Sequence, residues 1–339
     1  MHGAVPVDDP IALRHPLQWH TQPTVDALVA RGYGVALSSY RKNGTAVKEG
    51  ALDTRIAQAT FTSQFGQPGA TYLLGWSMGG AVGHQLVAAG APRYAGFLSI
   101  CSDQAGATRV NEYWLDARVL FDYYFPGVLP WGIRTDQAGL FLEVLPAIQG
   151  AFIADPAGLH REDSQTLQHR SAAAPPRRWF APHLILTALG SLSGFGGGNA
   201  QLVEYYGGLP VGNADRVYTS DALSAAELAD INANVARYEP DRGAEQKMLR
   251  LSPTGRLHGT PLLALHTDGD PVVPPFLADE FAQVAEAAGS GDLYVLRVVP
   301  GFGHCELTPD FAPDGFIDIQ IQAFDDLVAW SEEGIKPAP

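Results

Sequence analysis

Apolar residues along the chain follow two periods. Short apolar runs bounded by Gly, Pro and Asn alternate with longer stretches in which apolar positions return every three or four residues. The first pattern is that of a buried strand, the second that of an amphipathic helix. Residues 24–31 read as a helix ended by Gly32. "GYGVALSSYR", 32–41, reads as a strand running into the loop Lys42-Asn43-Gly44. A helix over 53–65 closes at Gly66, and a strand Tyr72-Leu73-Leu74 precedes a helix over 81–89. "YAGFLSIC", 94–101, is a further buried strand. Strand signal then fades from about 102 to 258. Aromatic helical patches replace it, such as "EYWLDARVLFDYYF", "LFLEVLPAIQGAF" and "SAAELADINANVARYE", separated by Pro and Gly clusters. The rhythm resumes at "PLLALHTDGD". A helix over 276–288, the strand "LYVLRVV", the loop "PGFGHCE" and a closing helix over 317–333 follow.

Alternation of strands and helices predicts an α/β fold: a mostly parallel sheet with helices on both faces. Residues 1–101 and 259–339 form the predicted core. Residues 102–258 are read as a helical cap inserted over one edge of the sheet. The chain has 339 residues, 46% hydrophobic and 17% charged, enough for a large core. A net charge of −14 argues against a nucleic-acid footprint and against an anionic membrane surface. No apolar stretch reaches the length of a membrane span. "MHGAVPVDDP" lacks a basic region followed by an apolar core, so no signal peptide is visible and localisation stays open. Cys101 and Cys305 make neither a disulfide framework nor a zinc ribbon. They sit after strands two apart, nearly 10 Å from each other, so a bridge forms only where their loops converge. A bridge would imply an oxidising compartment.

One stretch departs from simple patterning. In "TYLLGWSMGGAVGHQLVAAG", Ser77 stands at the end of a buried strand between Gly75 and Gly79. Glycines after a strand serve a turn, and a serine there can cap the next helix. The same spacing is that of a nucleophile elbow, G-x-S-x-G, whose tight strand-to-helix turn needs small residues two places either side of the serine. An elbow predicts an acid and a histidine later in the chain, in that order. Asp268 and Asp270 follow one later strand, and His304 follows the next. In parallel sheets such groups gather beyond the carboxyl ends of the strands. Asp270 is favoured over Asp268 because it directly precedes a Pro-Val-Val turn that can brace it; Asp268 is assigned to the loop backbone.

These motifs together resemble the α/β-hydrolase superfamily, over residues 1–101 and 259–335. The strand "RGYGVALSSYRKNG", the acid loop "HTDGDPVVP" and the histidine loop "GFGHCE" carry the likeness. It implies that Ser77 is the nucleophile, His304 the base and Asp270 the acid. Cys305 after His304, with the tail "WSEEGIKP", resembles the tannase and feruloyl-esterase branch. That branch pairs this cysteine with one before the nucleophile, where this chain has Trp76. Trp76 is the candidate substrate contact. The oxyanion hole is expected from the backbone N–H of Met78 and, by likeness to a His-Gly pair, of Ala4; a terminal segment with no such role is the alternative for Ala4.

The remaining signals carry less. "GSLSGFGGGNA" lacks the Lys-Ser/Thr of a phosphate loop and reads as a cap loop. His160, His169 and His183 lack metal-ligand spacing, so neither metal nor cofactor is expected. Tyr113, Trp114, Phe121, Tyr123, Tyr124 and Trp131 read mainly as cap core, with one or two expected at an acyl site. The expected partner is a small-molecule ester, and the expected activity is that of a serine esterase. A peptidase, an acyltransferase and a binding protein on the same fold are the alternatives.

The resemblance also implies three strands ahead of "GYGVALSSYR", the third lying between it and the elbow strand and ending at the His-Gly pair. Here the sequence opens at Met1-His2-Gly3. Three arrangements answer this: direct pairing of the Val35 and Leu73 strands, a second copy covering the edge, or a shortened form of a longer, secreted protein. The expectation is direct pairing, with the exposed edge covered in a homodimer.

Overall fold

The computed structural model describes residues 1–13, 21–129, 140–155, 200–220, 223–270, 272–299, 304 and 315–339. Four strands, β1 (Tyr72–Trp76), β2 (Gly96–Ile100), β3 (Leu262–Thr267) and β4 (Tyr294–Val299), lie side by side in that order, all parallel. Leu73 faces Phe97, Phe97 faces Leu262, and Leu262 faces Tyr294. β2 and β3 are buried along their whole length, which is why they read as mostly apolar runs, with Ser99, His266 and Thr267 the buried polar exceptions.

Strand side chains alternate between the two faces, so each strand feeds two cores. On one face Leu98, Ile100, Leu263 and Leu265 pack with Leu28 of α1 (Thr21–Ala30) and with Phe316, Ile321, Phe324, Leu327 and Trp330 of the C-terminal helix (Phe316–Glu333). On the other, Leu73, Phe97, Leu262 and Ala264 pack with Val47 of α2 (Val47–Phe65), Ala81, Val82 and Leu86 of α3 (Met78–Ala88), and Phe281 and Ala285 of the helix Phe276–Ala287. The buried positions of the C-terminal helix recur at three- and four-residue spacing, and Gly334, at φ 76°, ends it in the left-handed conformation that glycine adopts at low cost. This is an α/β fold: a parallel sheet with helices on both faces.

The first strand predicted from the pattern is not one. Residues 33–40 carry no secondary structure, and β1 is an edge of the sheet. The period-2 burial survives: Tyr33, Val35 and Leu37 are half-buried while Gly34 and Ala36 are exposed. What is missing is the ladder. Thr71 and Ser77 bond across to β2, through Ala95 N–H to Thr71 O and Ser77 N–H to Ile100 O. By alternation Tyr72, Leu74 and Trp76 then turn their backbone groups to the outer side. Met1 meets them there. Its amino group donates to Leu74 O over 2.6 Å and its carbonyl accepts from Trp76 N–H over 3.2 Å, the pattern of a parallel ladder. Burial pushes that amino group down to about 5, so it donates as a neutral amine at pH 7. Between β1 and residues 33–38 lies a cavity of about 410 Å³, walled by Val35, Leu37, Leu73, Leu74 and Phe61. Direct pairing of the Val35 and Leu73 segments is therefore overturned: residues 33–38 are not part of the sheet, and both segments line the cavity.

The chain divides into two compact units: 1–5, 10–106 and 251–339 in one, 6–9 and 107–250 in the other. The second unit is helical in its described parts. It holds α4 (Ala107–Tyr124), a π-helical turn Leu140–Val144 running into α5 (Leu145–Ala154), α6 (Ala200–Tyr206), α7 (Ala225–Asn234) and α8 (Arg242–Leu249). Phe121, Phe125, Leu129, Ile148 and Phe152 form its own apolar cluster. A capping box opens α7: Glu227 N–H donates to Ser224 Oγ while the Glu227 carboxylate accepts from Ser224 N–H. No helix among the described residues is long and apolar enough to cross a membrane. Trp131, the three cap histidines, residues 190–199 and Cys305 lie outside the described residues, so the Cys101–Cys305 question is untouched; Cys101 itself is buried at the end of β2.

Candidate active site

β1 ends at Trp76 and α3 begins at Met78, so the whole reversal of direction falls on Ser77. Its backbone sits at φ 52°, ψ −125°, a region that costs a non-glycine residue on the order of 1–3 kcal/mol. Two bonds hold it there: Ser77 N–H to Ile100 O and Gly80 N–H to Ser77 O, each 2.9 Å. The flanking glycines are required by close approach. A Cβ on Gly75 would stand 2.4 Å from Gly79 O, and one on Gly79 would stand 2.3 Å from Met1 O. A Cβ on Gly80 would meet Ser102 Oγ at 2.0 Å. The small residues around the serine therefore answer to backbone and side chains packed against the turn from three directions.

Asp270 and His304 meet Ser77 at the carboxyl ends of the strands. The Asp270 carboxylate, on the turn after β3, is fully buried. Its Oδ1 accepts from Val272 N–H and Val273 N–H, both at 2.9 Å. Its Oδ2 lies 2.8 Å from His304 Nδ1. On the other side of the ring, His304 Nε2 lies 2.9 Å from Ser77 Oγ. A carboxylate only accepts, so Nδ1 carries the hydrogen and Nε2 presents its lone pair to the serine hydroxyl. All three residues belong to one compact unit. Asp268 instead ties its backbone N–H to Val299 O at 3.1 Å, at the end of β4.

Trp76 is placed differently from its expected role as a substrate contact. Its ring is 4% exposed, packs in the core under the C-terminal helix, and donates Nε1–H to Gln320 Oε1 over 2.9 Å. A residue on β1 that faces this core has its side chain committed to packing. Met78 is the first residue of α3, where helical N–H groups have no partner within the helix. Ala4, three residues on from Met1, is half-buried. Within the second unit, Phe121 is core, Tyr113 is buried, and Tyr123 donates its hydroxyl hydrogen to Asp230.

Sequence patterning missed a buried polar cluster beside the elbow. Gln104, after β2, meets His84 Nε2 at 2.7 Å and donates to Ser99 Oγ at 2.8 Å, while Ser102 Oγ donates to Ile100 O at 3.1 Å. Burial pushes His84 down to about 4 and Asp103 up to about 7. The available signal was "SICSDQ", where Ser99 interrupts the apolar strand and a polar run starts as the strand stops. His266, near the end of β3, was also missed; burial lowers its pKa and keeps the ring neutral. Among the described residues no group of His, Cys, Asp and Glu is placed to hold a metal ion.

No family model matches the sequence, and no curated protein matches it. Solved structures do resemble the chain. A monoacylglycerol lipase from Paleococcus ferrophilus is 12% identical, with 97% of this chain and 92% of that one covered and a TM-score of 0.41. Feruloyl esterase B from Aspergillus oryzae is 16% identical, with 86% and 66% covered and a TM-score of 0.46. A structure from a study of carboxylesterases of Nitrososphaera gargenis is 11% identical, with 96% and 89% covered and a TM-score of 0.40. What this chain does rests on its own residues.

Proposed function

We propose that this chain is a serine hydrolase that cleaves carboxylic esters, with Ser77 as nucleophile, His304 as general base and acid, and Asp270 as the group that orients and charges-balances the imidazole. The observation that carries this is the continuous relay Asp270 Oδ2, His304 Nδ1, His304 Nε2, Ser77 Oγ, with steps of 2.8 and 2.9 Å, built on a serine at φ 52°. Ser77 Oγ attacks the ester carbonyl as its proton passes to His304 Nε2. The imidazolium that forms is stabilised by Asp270, which stays ionised. Negative charge on the carbonyl oxygen is received by the Met78 N–H, with Ala4 N–H as second donor; each such donor contributes about 3–4 kcal/mol. His304 returns the proton to the departing alcohol, leaving an acyl-Ser77. Water, deprotonated by His304, then releases the acid.

A panel of p-nitrophenyl esters of increasing acyl length tests this. Turnover is expected for the wild-type chain and a loss of about 10⁴-fold or more in kcat for Ser77→Ala and for His304→Ala. Asp270→Asn is expected to cost several powers of ten and Asp268→Asn less than tenfold. Retention of a tenth of the activity by either of the first two variants refutes the reading. The reverse order of the two aspartates reassigns the acid.

A further inference from the structure

We propose that His266 is a positioning residue for Asp270: a neutral, Nε2-protonated imidazole that clamps the acid turn from below. The proposal rests on the triad reading above. The turn from 270 to 273 is held at two points. Val272 and Val273 N–H groups bind Asp270 Oδ1, each at 2.9 Å. The carbonyl of the same Val273 lies 2.6 Å from His266 Nε2. A carbonyl only accepts, so that nitrogen carries the hydrogen. One residue, Val273, is thus anchored on both sides of its Cα, through its N–H to the carboxylate and through its C=O to His266 on β3. Losing the second anchor frees the Val273 backbone to shift, and Asp270 Oδ1 then risks losing a donor.

The geometry also explains why His266 does not compete with His304. Its Nε2 is 3.6 Å from Asp270 Oδ2, beyond hydrogen-bond distance, and its hydrogen is already aimed at Val273 O. Oδ2 is left to His304 Nδ1 at 2.8 Å. The titratable groups that face His266 are Asp270, His304 and Asp279. A second imidazolium here would draw Asp270 away from His304, and complete burial keeps His266 uncharged. The other ring nitrogen, Nδ1, is buried with no hydrogen-bond partner among the described residues. Burying an unpartnered nitrogen is unfavourable. A leucine would remove that cost but would leave Val273 O without its donor, so the ring is kept for the bond it makes to the acid turn.

Two measurements decide it. In the wild-type chain, ¹⁵N resonances of His266 are expected to show a proton on Nε2 and a bare Nδ1 at pH 7 to 8; a proton on Nδ1 overturns the proposal without any variant being made. Then His266→Leu and His266→Gln are compared. His266→Leu is expected to lower kcat ten- to a hundredfold with KM within twofold, and to weaken or shift the low-field resonance of the His304 Nδ1 proton. His266→Gln, whose amide can donate to Val273 O, is expected to stay within threefold of wild type. A His266→Leu variant with wild-type kcat and an unchanged low-field proton overturns the proposal. If the wild-type chain turns over no ester, the function above fails, while the low-field proton still reports whether His266 positions Asp270.

Discussion

Ser77, Asp270 and His304 are 193 and 34 positions apart along the chain, and each is an ordinary loop residue taken singly. Their meaning comes from their place after β1, β3 and β4. At the same edge Asp103 is an unused carboxyl, buried, with Oδ1 lacking a partner among the described residues. Burial pushes it up to about 7, so the folded chain holds a proton that the unfolded chain releases near pH 4. Stability contributed by the protonated form is therefore complete below about pH 4 and is lost as pH rises towards 7. The loss is at most about 4 kcal/mol, three pKa units at 1.36 kcal/mol each. His84, pushed down to about 4, acts in the opposite sense: it favours the fold above about pH 6.5 and opposes it as pH falls towards 4. Wild type alone would show a flattened profile. The difference between Asp103→Asn and wild type isolates the carboxyl: near zero at pH 4, and growing in favour of the variant up to pH 8. Denaturant melts at four pH values measure it, and a pH-independent difference removes Asp103 as the cause.

Among the elements, β1 is the exceptional one. β2 and β3 have a strand on either side, and their apolar runs say so directly. β1 has β2 on one side and, on the other, Met1 and a cavity of about 410 Å³. Its odd residues are locked to β2, while Tyr72 and Leu74 direct N–H groups outward. Backbone amides along one strand should then exchange at alternating rates. Leu73 and Gly75 are expected to exchange at least a hundredfold more slowly than Tyr72 and Leu74 in native-state hydrogen exchange. Equal protection along 72–75 would mean that something outside these contacts completes the ladder. The burial pattern of residues 33–38 shows why the strand there was misread. Alternation reports which side chains face the apolar interior, and Tyr33, Val35 and Leu37 do. It does not report whether another backbone lies within about 4.8 Å to be bonded.

For the molecule as a whole, the division into two units follows from where the chain leaves the sheet and returns. Gly106, at φ 91°, is packed so tightly that a Cβ there would stand 2.3 Å from Pro253 Cδ and 3.2 Å from Ser252 Cα. The two ends of the 107–250 segment are thus neighbours within the first unit. A short Gly/Ser linker from Gly106 to Leu251 can close the gap in place of 107–250. The shortened chain is expected to melt cooperatively and to hydrolyse p-nitrophenyl acetate within about tenfold of the full chain. Circular dichroism and the ester panel check both halves. A non-cooperative melt would mean that the sheet and its two helical layers do not stand without the second unit.

The sequence by itself determined the strands β1 to β4 as mostly apolar runs, the helices that cover them, and the order serine, aspartate, histidine. Local pattern suffices for these because burial on both faces of a parallel strand and close packing around an elbow leave few residue types able to serve. It pointed to Asp270 over Asp268, since a carboxylate just before a turn has backbone N–H groups ahead of it to bind. The tertiary structure alone decided the rest. Trp76 belongs to the core because of which face of β1 meets the C-terminal helix. His266 lies under Asp270 because the turn folds back onto β3. Residues 33–38 are not a strand because pairing is a property of two backbones, and only one of them is written in that stretch.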